Sequence, residues 1–253
     1  MKMLVKFLAI ALALLGSWFI FQNVIATSNA QEIGLSSKDY ANGKKRFAAV
    51  SRKVTPSLKS ALQEKKLKLG SPIFIRAFKE EKKLELWVKK GERFQLFRTY
   101  PIAAASGILG PKQREGDRQV PEGFYFVTRS QMNPQSAYHL AFNIGYPNTF
   151  DRAHKRTGSF IMIHGSDVSI GCLAMTDPAI EEIYTLADSA LQNGQKFFRV
   201  HLFPFQMTPE NLARHSKNSW LPFWENLQKG YQWFEEKKVP PNATAKGKVY
   251  HFE

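Results

Sequence analysis

The single cysteine of the chain, Cys172, follows a glycine in the run Ile163-His164-Gly165-Ser166-Asp167-Val168-Ser169-Ile170-Gly171-Cys172. A free thiol has a pKa of ~8.5 and is only a few per cent thiolate at neutral pH. His164 stands eight residues earlier, where an apolar run ends. An imidazole beside a thiol stabilises the thiolate as an ion pair and shuttles protons during acyl transfer. The glycines allow a tight turn and close approach by a substrate. Backbone N–H groups near Gly171 and Cys172 could face a tetrahedral oxyanion. Cys172, His164 and Gly171 are therefore the candidate catalytic set. The plainer alternative is a buried, inert cysteine beside an ordinary strand-end histidine. Zinc is a further alternative, but His139, His154, His164 and His201 lack metal-ligand spacing and one thiol is a poor set. A redox role would need a resolving cysteine. No metal or cofactor is expected.

The elements that must hold this segment are mostly strands. Ile73 to Phe78 is a short apolar run, and Leu84, Leu86 and Val88 alternate as in a half-buried strand. Lys90-Gly91-Glu92 reads as a turn, and Phe94 to Phe97 and Phe124 to Thr128 read as further strands. Phe160 to Ile163 is the apolar run that ends at His164. Thr176-Asp177-Pro178 predicts a helix start with a capping side chain. Ile180, Ile183, Tyr184, Ala187 and Leu191 keep helical spacing until Gly194, and Lys196 to Phe203 is expected to be a core strand. Residues 31–71 form a lysine-rich, helical N-terminal segment with Val54, Leu58, Leu62 and Leu69 as its apolar stripe. Residues 204–253 carry Trp220, Phe223, Trp224, Leu227, Tyr231 and Phe234 at helical spacing, a stripe expected to pack on the domain before it. The pattern predicts a strand-rich α+β fold.

Lysine and arginine total 36 against 21 acids, a formal charge of +15 that favours polyanions. Location chooses among them. Lys2 and Lys6, an apolar stretch from Phe7 to Phe21, and small residues at Ser28-Asn29-Ala30 make residues 1–30 a secretory signal, with an uncleaved anchor as the alternative. Either places the rest outside the cytoplasm, in the periplasm or cell envelope. Nucleic acid is then excluded as a partner, and an anionic envelope surface and the carboxylates of peptidoglycan remain.

Ile163-His164-Gly165 followed by Ser169-Ile170-Gly171-Cys172 resembles the catalytic segment of the YkuD-type L,D-transpeptidase domain. Val120-Pro121-Glu122-Gly123-Phe124 looks like a variant of a second element of that family. The resemblance covers residues 72–203 and implies a YkuD-like β-sandwich or mixed-sheet catalytic domain. It implies a thioester at Cys172, with Ser169, Gly165, Tyr146 and Asn148 as substrate-binding residues and peptidoglycan stem peptides as substrate. Two positions depart from the usual pattern: Ile170 replaces a histidine and Ala174 replaces an arginine or asparagine. With Tyr146-Pro147-Asn148 and the aromatic extension, they resemble a subgroup that includes an amidase detaching peptidoglycan-linked lipoprotein. Amide hydrolysis is the favoured outcome. A transpeptidase forming 3–3 cross-links or attaching lipoprotein, and a non-catalytic peptidoglycan-binding scaffold, are the alternatives.

Overall fold

Residues 42–253 are described by a computed structural model. The expected signal or anchor over 1–30 lies outside the described residues. Among the described residues no helix is long and apolar enough to cross a membrane.

The run Ile73-Phe74-Ile75-Arg76-Ala77-Phe78 does not alternate, because both of its faces are covered. This strand, β1 (Ile73–Phe78), is central in a five-stranded sheet. On one side lie β2 (Lys83–Lys90) and β3 (Arg93–Pro101); on the other lie β10 (Phe197–Phe203) and β5 (Gly123–Thr128). Only the β1–β10 pair is parallel. A second five-stranded sheet runs in the order β4 (Ala104–Ala105), β9 (Leu173–Ala174), β8 (Met162–His164), β7 (Ala141–Asn143) and β6 (Met132–Asn133). Here β8 and β9 are the parallel pair.

Ile75, Leu86 and Val200 from the first sheet share one apolar core with Phe142, Ile163 and Leu173 from the second. Helix α1 (Gly43–Glu64) adds Val50, Val54, Leu58 and Leu62 at four-residue spacing, and α3 (Asp177–Gln192) adds Ile180, Ile183, Tyr184 and Ala187. Between β7 and β8 a single short turn, α2 (Thr149–Ala153), is capped by Asn148.

The opposite face of the first sheet is also buried, which corrects the half-buried reading of β2. Short helix α4 (Pro209–Arg214) leads to α5 (Leu221–Lys237), whose Trp224, Leu227, Tyr231 and Phe234 lie on that face. Phe78, Phe124 and Phe203 meet Trp224, Leu227 and Tyr231 there, and Phe74 and Trp87 meet Phe234. The hairpin β11 (Ala243–Lys246) and β12 (Val249–Phe252) extends this cover through Tyr250. Burial of charge under α5 is matched by pairing. Arg76 holds Glu85 at 2.5 Å and Glu235 at 2.6 Å, with its guanidinium 5.0 Å from the Trp87 and Phe234 ring centres. Glu122 is fully buried and accepts from Lys79 Nζ at 2.9 Å, Gly110 N at 2.8 Å and Trp224 Nε1 at 2.8 Å.

Trp224→Ala is expected to cost about 3–5 kcal/mol in urea unfolding, the usual loss for a fully buried tryptophan. Trp224→Phe keeps most of the packing but removes one of three donors to Glu122, and should cost about 1–3 kcal/mol. Equal losses in the two variants would show that the Glu122 hydrogen bond, and not volume, dominates.

Candidate active site

Strands β8 and β9 are neighbours in parallel, yet only residues 165–172 connect them. Parallel strands ordinarily need a crossover of about a dozen residues or more. The short link works because the strands are three and two residues long, so the chain has little distance to retrace. It needs special backbone: Ser166 has φ 62° and Gly171 has φ 122°. Ile163 pairs with Leu173 and His164 with Ala174. Continuing that register, Met162 lies opposite Cys172. Residues two apart on a strand share a face, so Cys172 and His164 stand diagonally on the same face, roughly 8 Å apart between Cα atoms. Ile163 and Leu173 point the other way, into the core.

The thiol is half-buried. Met162 N–H donates to Cys172 Sγ at 3.4 Å, and the Phe160 carbonyl lies 3.8 Å from Sγ. His164 is 2% exposed, and its Nδ1 is 2.6 Å from Gly165 O. A carbonyl only accepts, so Nδ1 carries the proton and Nε2 keeps the lone pair of a base. The Tyr138 ring packs on the imidazole with centres 4.7 Å apart.

Burial pushes the Cys172 thiol up, opposed by the Met162 N–H and the cation of Lys112. Burial also pushes His164 down, against the pull of its bond to Gly165. Both shifts favour the neutral pair. Both directions run against a resting thiolate–imidazolium ion pair.

Ser169, expected to touch substrate, holds the backbone of Cys172. Its Oγ accepts from Cys172 N at 3.0 Å and donates to Cys172 O at 2.6 Å. This removes the Cys172 N–H from the expected oxyanion donors. Gly171 N–H makes no hydrogen bond among the described residues, and a Cβ there would meet nothing nearer than Gln119 O at 3.8 Å. Gly165 is buried, and a Cβ on it would come within 2.6 Å of Asp177 Oδ1 and 2.9 Å of Tyr138 O. Its place is close packing behind His164. Tyr146 is buried with its hydroxyl near Lys112 O at 3.2 Å and Thr157 O at 3.3 Å. Asn148 spends its side chain on Asp151 N, Phe124 O and the Tyr250 hydroxyl, each at 2.9 Å. All four residues expected to touch substrate make close contacts within the protein. Arg156 is buried against Asp151 at 2.8 Å, and exposed Arg129 meets Asp188 at 3.2 Å. Thr176 has φ 69° and makes no side-chain cap; Asp177 Oδ1 accepts from Ser166 N at 2.8 Å. The 160–163 run begins as loop, leaving Phe160 exposed.

Lys112 was not legible as a site residue, because it sits in a charged stretch that reads as solvated loop. It is 3% exposed and pairs with Asp117 at 2.7 Å. Burial raises Asp117, but Lys112 and the N–H groups of Arg114, Gln113 and Gln119 outweigh it and hold the carboxyl at about 2. Among the described residues no three His, Cys, Asp or Glu are placed to hold a metal ion.

Residues 72–202 match the YkuD family model, the L,D-transpeptidase catalytic domain. Over 176 residues the chain is 49% identical to "Putative L,D-transpeptidase YafK" of Escherichia coli K12, covering 70% of this chain and 72% of that protein. The chain belongs to the YkuD L,D-transpeptidase family. Among solved structures, the helical cell shape determining protein Pgp2 of Campylobacter jejuni aligns at 20% identity and TM-score 0.42, over 75% of this chain and 80% of that one. Bd1075 of Bdellovibrio bacteriovorus aligns at 19% identity and TM-score 0.39, over 70% and 77%.

In this L,D-transpeptidase-family domain the two departures take distinct positions. Ile170 is 79% exposed beside the thiol. Ala174 is fully buried in the ladder between Ala104 and His164, where a long cation would not fit.

His164→Ala should lower turnover at least about a hundredfold. The alkylation midpoint of Cys172 in the free protein should hardly move, since burial already disfavours the imidazolium. A midpoint displaced upward by a full pH unit would show a resting imidazolium instead. Asp117 has a depressed pKa in the fold, so its stabilisation is complete above the ordinary carboxyl value of 3.8 and is lost as pH falls toward about 2. Asp117→Asn should flatten the acid limb of the urea-unfolding free energy in that window. An unchanged acid limb would assign it to other carboxyls.

Proposed function

We propose that this protein is an exported cysteine acyl-transfer enzyme of the periplasm or envelope that acts on peptidoglycan stem peptides. Its favoured reaction is hydrolysis of the amide that joins a stem to a lysine of a lipoprotein. The observation that carries this reading is the placement of Cys172 and His164 on one face of two adjacent parallel strands, with the imidazole proton held on Nδ1 by Gly165.

Cys172 Sγ attacks the carbonyl carbon of the third-position diamino acid while His164 Nε2 takes the thiol proton. The tetrahedral oxyanion lies near the unengaged Gly171 N–H. Collapse breaks the C–N bond, and Nε2–H protonates the leaving lysine amine. Water then adds to the thioester, giving its proton to Nε2, and the thiol leaves as the stem carboxyl forms. Hydrolysis is favoured because a second stem must be bound as an amine acceptor, whereas water needs no site. Neither Ile170 nor buried Ala174 supplies a polar side chain for such an acceptor. Phe160, whose carbonyl lies 3.8 Å from Sγ, and Val168 and Ile170 of the link that ends at Cys172 are exposed. This apolar rim suits a polypeptide leaving group. The chain's +15 charge suits an anionic wall.

Incubation with sacculi carrying bound lipoprotein should release lipoprotein free of muropeptide, with no new cross-linked dimers by mass spectrometry. Cys172→Ala and Cys172→Ser should abolish release without lowering the unfolding midpoint. New 3–3 dimers without lipoprotein release would assign ordinary transpeptidation, and activity retained by Cys172→Ala would exclude thiol catalysis.

A further inference from the structure

The outer face of the first sheet has one place that α5 does not fill. It lies at the edge formed by β5 and β10, where His201 pairs with Phe124 and Arg199 with Phe126. Phe197, Arg199 and His201 alternate with the core residues Phe198, Val200 and Leu202, so all three face away from the core that lies beneath Cys172. The segment Pro241–Ala243, entering β11, closes the far side. Between them is a cavity of about 170 Å³, room for several waters or one small molecule.

The floor of this cavity is His201. It is 1% exposed, and among the described residues neither ring nitrogen has a hydrogen-bond partner. Buried polar groups are almost always paired, and an unpaired one calls for an explanation. Phe74 and Phe124 pack edge-on against the imidazole with centres 4.7 Å away, which satisfies its shape but not its acceptor nitrogen. Burial, with the cations Arg199 and Arg76 nearby, holds the ring well below its ordinary pKa. It therefore offers one N–H donor and one acceptor.

The wall carries an uncommitted cation. Arg199 has no carboxylate within salt-bridge reach among the described residues. Its guanidinium lies 5.2 Å from the Phe197 ring centre and reaches only Asn242 Oδ1, at 3.4 Å. The mouth is apolar, with Phe126 and Phe197 both exposed and their centres 5.4 Å apart.

We propose that this cavity is a second ligand site, distinct from the thiol, for the carboxylate end of an amino acid, either free or at the C-terminus of a peptide. The carboxylate pairs with Arg199, a bidentate partner for that group. The ligand's N–H meets the acceptor nitrogen of His201, and its side chain lies against Phe126 and Phe197. The inference stands apart from the thiol chemistry, since the core of both sheets separates the two places.

The test is proton–carbon NMR of the His201 Cε1–Hε1 pair in the full-length protein, assigned by its loss in His201→Phe. The probes are alanine of either configuration, N-acetyl-alanyl-alanine, and N-acetyl-alanyl-alaninamide as the control without a carboxylate. A saturable shift is expected with a carboxylate probe and not with the amide. Saturation by alanine alone identifies a free amino acid as the ligand, and saturation by the dipeptide identifies a peptide end. Arg199→Gln should weaken binding at least about tenfold, and Cys172→Ala should leave it unchanged. No saturable shift from either carboxylate, an equal shift from the amide, or undiminished binding in Arg199→Gln would overturn the proposal and leave the cavity to water.

Discussion

The parallel pairing of β8 with β9 is the constraint on which the site depends. A one-residue slip in Ile163–Leu173 and His164–Ala174 would turn the thiol toward the core and separate it from the base. The register is therefore held from several directions. Ile163 and Leu173 are fixed by burial in the core between the sheets. Ser169 closes a ring of two hydrogen bonds on Cys172, and Thr176 N–H, just after β9, donates to Ser166 O at the start of the link at 2.8 Å. Asp177 then ties the start of α3 to Ser166. Gly165 lies where these parts meet, and its lack of a Cβ lets them approach.

That arrangement needs a rigid support, which comes from burial of the first sheet on both faces. Leu84 and Leu86 face the inner core, whereas Glu85 and Trp87 are buried beneath α5. The outer layer is aromatic yet contains three charged centres: Arg76, Glu85 and Glu122. Their desolvation is offset only because each has a short, charge-assisted partner. Glu122 links Lys79, the Gly110 turn and Trp224, and so joins a loop near the site to the C-terminal helix.

The electrostatics of the site follow from the same burial. Burial pushes the thiol up and the imidazole down, since charge in a low-dielectric site costs more than in water. Lys112 works in the opposite direction, its cation favouring the thiolate while Asp117 keeps the lysine anchored.

Several features were readable along the chain because they rest on local chemistry or on a period. The strands at 73–78, 124–128 and 197–203 and the helices over 177–192 and 221–237 follow from apolar spacing. Cys172 and His164 stand out through residue type, and the Ser-X-Gly-Cys run through motif. Other features arise only from contacts between distant segments. Burial of β2 on both faces depends on α5, which lies more than a hundred residues later. The hairpin of β11 and β12 is too short and polar to be distinguished from a loop until Tyr250 packs on Phe124 and Phe150. Lys112 looks like a solvated charge until Asp117 and Gly158 enclose it. Ser169, Tyr146 and Asn148 have residue types suited to binding, but their orientation is set by neighbours up to a hundred residues away, and those neighbours use every polar group inward. Residue chemistry and period are properties of the chain itself, so the candidate thiol and imidazole and the main elements were determined there. Burial, protonation and the direction of a side chain depend on what is packed against it, and only the tertiary structure decides that.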